Sequence, residues 1–258
     1  MFKKLRISIL LYLLIIVALG AWLSWQRTTD WQEPLWVTVF PINADGSVVV
    51  DRYISTIAEK QFEDIERFMA REASRHGIEI DAPVTMRLAS PVIEQPPMPP
   101  TDGSRLKTAW WSGKLRLWAN RVSKKQDIAT PDIRIFVRYF EPQTDQALAH
   151  SLGLNKGMIG IVNAFASRKR AGANNMIIAH EMLHTLGASD KYDLETALPI
   201  HPDGYAEPER NPLHPQRTAE LMGGRIPIDA GYAQMPTSLR QVIVGPATAR
   251  EIRWIKDK

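Results

Sequence analysis

The string Ile177-Ile-Ala-His-Glu-Met-Leu-His-Thr-Leu-Gly-Ala-Ser-Asp-Lys-Tyr-Asp193 constrains this chain more than any other stretch. It contains His180-Glu181-x-x-His184. Residues four apart on a helix share one face, about one turn apart, so the two imidazoles can meet one cation. Glu181 stands beside them, where it reaches a water without being a ligand. Two histidines and an adjacent acid at this spacing are the donor set of a zinc hydrolase with Glu181 as general base. The same stretch also reads as an amphipathic helix, with Ile177, Ile178, Met182, Leu183 and Leu186 as core contacts.

A catalytic zinc takes three protein ligands and keeps a position open. After His184 the chain continues to Gly187 and then Asp190. Glycine there can adopt the left-handed conformation that ends a helix and turns the chain back. Asp190 then offers a carboxylate oxygen as the third ligand, with His201 and Glu220 as rival positions. There is no cysteine in the chain, which excludes both a disulfide framework and a thiolate zinc site.

The full string H-E-x-x-H-x-x-G-x-x-D resembles the metzincin class of zinc metallopeptidases. Aspartate at the third position resembles its snapalysin-like branch. Ala219-Glu-Leu-Met-Gly-Gly224 is similar to the Met-turn of that class, with Met222 as the methionine beneath the metal. The resemblance is strong over residues 177–193 and 219–224; elsewhere it lies only in the layout. It implies an α+β, zincin-like fold: a twisted mixed sheet backed by helices, the zinc helix, and an irregular C-terminal part carrying the Met-turn. It also implies Zn²⁺ on His180, His184 and Asp190, hydrolysis of peptide bonds in a peptide or protein substrate, and the strand just before the zinc helix, Gly157 to Ala164, as the sheet edge above the cleft that pairs with extended substrate. Some metzincins carry a tyrosine two residues after the Met-turn methionine. Gly224 stands there in this chain, so Tyr192 is the expected transition-state donor, with Tyr205 second.

Residues 1–26 read as separate from the domain at 27–258. Lys3, Lys4 and Arg6 precede an apolar run from Ile7 to Trp25, about long enough to span a bilayer. This predicts a single-pass anchor in the inner membrane, N-terminus in the cytoplasm and body outside, in the periplasm. A cleaved signal peptide, with a secreted body, is the alternative. Apart from those three N-terminal bases the chain has 29 basic and 28 acidic side chains, which gives no support to nucleic acid as a partner.

Between these landmarks the pattern predicts strands at 35–40, 84–89, 133–140 and 157–164, and helices at 50–76 and 104–123. A polar loop precedes the zinc helix, and a short helix closes the chain from Pro246 to about Lys256. On the second helix, Trp111, Leu115, Trp118 and Val122 form an apolar stripe. Leu106, Trp110 and Leu117 widen it, and Lys107, Lys114, Arg116 and Arg121 form the wet face. Two other readings keep some of these features: an envelope protein with a closed structural zinc site and no turnover, and a zinc amidase acting on small or cell-wall peptides.

Overall fold

Four strands rich in branched and aromatic residues lie parallel at the centre of the molecule: β1 (Leu35–Asn43), β2 (Val84–Leu88), β3 (Ile133–Phe140) and β5 (Ile159–Phe165). A fifth, β4 (Leu152–Leu154), runs antiparallel to β5, and the sheet order is β2-β1-β3-β5-β4. The computed structural model describes residues 30–255 except 101–103, 127, 144–147, 149–150 and 156, together with 6–7, 11–12 and 15.

The period-two alternation of β3 builds two cores. Ile133, Ile135, Val137 and Tyr139 enter the larger one, with α2 (Glu63–Arg75) and α4 (Ala171–Leu186). Phe136 points the other way, beneath α3 (Arg105–Lys124). There it lies 4.8 Å from the Phe40 ring and 4.5 Å from Trp118. Phe136 is fully buried, and its truncation to alanine would cost about 3–5 kcal/mol.

The single helix expected at 50–76 is two: α1 (Val48–Ile54) and α2, joined by a 3₁₀ turn at Glu59–Phe62. Ser55 and Thr56 end α1 by donating their hydroxyls to the carbonyls of Arg52 and Tyr53, both at 2.8 Å. Such local bonds compete with the helical ladder. The closing helix α5 is Pro246–Glu251, shorter than expected. Short strand pairs at 219–220 with 242–243 and at 226–227 with 233–234 organise the C-terminal part.

Two expectations are corrected. The strand expected at 157–164, β5, is not the sheet edge, because β4 lies outside it. The transmembrane helix is not found: among the described residues no helix is long and apolar enough to cross a membrane. The predicted run at 7–25 falls mostly outside the described residues. A crossing needs about 20 consecutive apolar residues; the longest described helix, α3, is interrupted by six basic side chains. Among the described residues the α+β fold therefore has no membrane-spanning helix, and the single-pass inner-membrane placement is withdrawn.

Candidate metal centre

Helix α4 runs against β5 and carries His180 and His184 one turn apart. Gly187 ends it in the left-handed conformation, φ +108°. Its N–H donates to the His184 carbonyl and that of Ala188 to the Leu183 carbonyl. This is the glycine stop the sequence predicts, and it has two effects on the site. The Ala188 carbonyl swings under His184 and accepts from Nδ1 at 2.8 Å. Three residues on, Asp190 returns toward the helix, its Oδ1 at 3.1 Å from Nε2 of both His180 and His184.

The other imidazole is fixed by the turn at 219–224. His180 Nδ1 donates to the Leu221 carbonyl at 2.9 Å. With both Nδ1 atoms committed to carbonyls, both Nε2 atoms point to one place. Fixing the tautomer by a bond from the second ring nitrogen is how metal-ligating histidines are oriented. Two donors on a tetrahedral zinc lie about 3.4 Å apart at ordinary bond lengths, close to the 3.1 Å between Asp190 and each imidazole. The donor set therefore fits a zinc-like cation. His180, Glu181 and His184 form a group of ligand atoms, among the described residues, with mutual distances within 4.8 Å, and Asp190 joins the two imidazoles through its 3.1 Å contacts.

The electrostatics follow from crowding. Burial alone would raise Asp190, but hydrogen bonds from His180 and His184, and their charge, hold it well below the usual carboxylate range. Burial pulls His180 down, yet its bond to Asp190 and the charge of Glu181 leave it raised. Tyr192 is pushed up to about 12, by burial first and then by Asp190 and Glu181. Its ring lies 6.2 Å from that of His180.

The rival ligands are engaged elsewhere. Both Glu220 oxygens are buried acceptors: Oε2 takes the Gly223 N–H, and Oε1 takes the Gly245 N–H and the Thr248 hydroxyl. His201 is exposed and hydrogen-bonds the Pro208 carbonyl at 3.1 Å, while Tyr205 bonds His214 at 3.1 Å. Met222 is fully buried in the main core, and its carbonyl accepts from the Lys191 N–H, tying the turn at 219–224 to the loop of Asp190.

Two cavities flank the centre. One of about 440 Å³ is mainly apolar and is bordered by His180, Glu181, Tyr192, Met176, Phe165 and Arg225. One of about 270 Å³ is bordered by Glu181, His184, Asp190, Tyr192, Gly153 and Leu194. Glu181 and Tyr192 face both.

No protein-family profile and no curated protein matches this chain. Among solved structures it is similar to catalytically inactive OgpA from Akkermansia muciniphila in complex with an O-glycopeptide (glycodrosocin) substrate. Identity is 11%, the match covers 84% of this chain and 58% of that one, and the TM-score is 0.35. The chain thus spans less than two thirds of that protein's length, and a likeness at this level says nothing of its chemistry.

Sequence reasoning missed two groups around the centre. Gly153 of β4 passes so close to α4 that a Cβ there would meet His184 Cβ at 2.4 Å and the Glu181 carbonyl at 2.6 Å. Glu251 of α5 accepts from Ser189 N–H at 3.0 Å, Ser189 hydroxyl at 2.6 Å and Lys191 Nζ at 2.7 Å. Nothing local in the sequence signals either one, because each acts on residues far away along the chain.

Proposed function

We propose that residues 27–258 form a zinc-dependent peptidase that hydrolyses peptide bonds in a peptide or protein substrate. One observation carries this reading: two imidazoles with committed Nδ1 atoms and one carboxylate oxygen converge beside Glu181. The string through Asp190 and the turn at Met222 are those of the snapalysin-like metzincins that the chain resembles.

His180, His184 and Asp190 would hold the metal. Zinc, when bound, supplies Lewis acidity toward a carbonyl and lowers the pKa of water toward neutrality. Glu181, buried between the two cavities, takes the proton of the attacking water and delivers it to the leaving amine. Tyr192, protonated throughout the neutral range, donates a hydrogen bond to the oxyanion as it forms. The apolar cavity beside His180 and Glu181 suits a substrate side chain next to the scissile bond.

A closed structural site would need a fourth protein ligand. The engagement of Glu220 and His201 in other bonds favours the open, hydrolytic reading. The test is a zinc titration of the full chain, paired with cleavage of denatured casein and a peptide library. Stoichiometric zinc with chelator-sensitive cleavage is expected. Zinc binding without cleavage of any peptide would leave the structural reading instead.

A further inference from the structure

Helix α3 carries apolar residues on two opposite faces. At 100° per residue, Trp111, Leu115, Trp118 and Val122 form the face buried against the sheet. Leu106, Trp110 and Leu117 fall in a narrow strip on the far side, 84%, 69% and 72% exposed. They do not widen the buried stripe, as the sequence suggests; they point away from it. A solvated helix normally covers its outer face with polar groups, so this strip is unexplained by the fold.

The surroundings of the strip are basic. Lys107, Lys114 and Arg121, the last paired with Glu94, follow one edge and Arg105 and Arg116 the other, Lys124 ends the strip itself, and the helix holds no acidic residue. The whole chain has a formal net charge of +4 while α3 alone carries six basic side chains, so the remainder is net −2. Outside those six and the three N-terminal bases the chain is net −5, so α3 is a basic element on an acidic body. Lys114 Nζ sits 5.5 Å over the Trp110 ring. The preceding loop exposes Ile93 and Met98, by 95% and 64%. That loop is fixed to α3: the Trp111 indole donates to the Pro97 carbonyl at 2.8 Å, and Glu94 pairs with Arg121 and Lys125.

We infer that α3 docks in the plane of an anionic lipid surface, lying on the bilayer without crossing it. Leucine and tryptophan sink to the boundary between headgroups and acyl chains, while flanking lysines and arginines reach back to the phosphates. Anionic headgroups complement the charge, and acyl chains complement the aliphatic strip. A second copy of the chain would bring like charges together. A nucleic acid would meet the bases but leave Leu106 and Leu117 against phosphate with nothing to gain. The inference is independent of the zinc reading.

The chain has no cysteine, so one can be introduced as a unique label site. Gly113 lies beside the exposed strip, and a Cβ there meets nothing within 4 Å. The full chain carrying Gly113→Cys, labelled with an environment-sensitive dye, is mixed with phosphatidylcholine vesicles with and without phosphatidylglycerol. Expected is a blue shift, with quenching by lipid-borne quenchers, only on the anionic vesicles and weakening with salt. Lys107→Glu with Lys114→Glu should lower the apparent partitioning of the dye about tenfold or more. Leu106→Ser with Leu117→Ser should abolish lipid quenching while leaving the folded circular dichroism unchanged. No shift on either vesicle, an equal shift on neutral vesicles, a shift produced by an oligonucleotide instead, or lipid-free self-quenching that marks a second copy would each overturn the inference.

Discussion

Asp190 reaches both imidazoles because Gly187 turns the chain with φ +108°. Glu181 and Asp190 have different duties under the zinc reading, and substitution separates them. Glu181→Gln should keep zinc and lose about 10²–10⁴-fold in hydrolysis, as expected for a missing general base. Asp190→Ala should lose zinc affinity together with activity. The two variants would look alike in a peptide assay and unlike in a metal titration; equal zinc affinity in parent and Asp190→Ala would move the third ligand elsewhere. Gly153→Ala tests the close approach of β4. Its methyl has no room against His184 Cβ and the Glu181 carbonyl, so strand or helix must shift. A loss of about 1–3 kcal/mol in urea unfolding is expected, and an unchanged midpoint would disprove it. His180, Glu181, His184 and Asp190 were legible in the sequence because one helix and one turn set their spacing. Gly153 was not, since a lone glycine between leucines carries no mark of the helix it will touch.

At the scale of elements, α5 acts as a brace. Its Thr248 hydroxyl and the N–H of the preceding Gly245 hold Glu220 of the Met-turn, and its Glu251 holds Ser189 and Lys191 beside Asp190. Glu251→Ala should therefore weaken zinc binding by about 10- to 100-fold without touching a ligand, the usual cost of removing an outer hydrogen bond. Isothermal titration would detect it, and an unchanged dissociation constant would refute the brace. Glu220 gives a pH signature. Burial raises its pKa above the ordinary value, against the bonds from Thr248, Gly245 and Gly223. An acid with a raised folded pKa stabilises the fold most where it is protonated in both states, below about pH 4. That contribution is lost as pH rises through the folded value. The stability of the parent relative to Glu220→Gln should thus be greatest in acid and decline toward neutrality. Denaturant unfolding across that range checks the sign; a rising difference would contradict it. The brace was hidden in the sequence: Glu251 reads as one surface acid on a short helix, and Glu220 as a possible ligand, because a carboxylate's partners are a tertiary matter.

For the whole molecule, metal and fold should be linked. A cation that binds only the folded chain adds about 2.7 kcal/mol at a hundred times its dissociation constant. For a chain of this size that raises Tm by about 5–10 °C. Calorimetry with zinc and then with excess chelator would show the shift and its reversal, and no shift would mean no cation on the folded site. The parallel strands β1, β2, β3 and β5 were legible from their branched and aromatic runs. The antiparallel β4 was not, because Leu152–Leu154 is three residues long and carries no alternation to recognise. The strip on α3 was legible as residues and misread as core, because periodicity shows that a face is apolar and not what it faces.

The brace has a consequence for how the molecule comes into being. Lys191 and the Glu251 that holds it are 60 positions apart. Proteins leave the ribosome N-terminus first, so a nascent chain presents both imidazoles and Asp190 before the residues that keep Asp190 in place exist. Competence for metal would then be the last property the growing polypeptide acquires, and a chain still in translation would be no hazard to its neighbours.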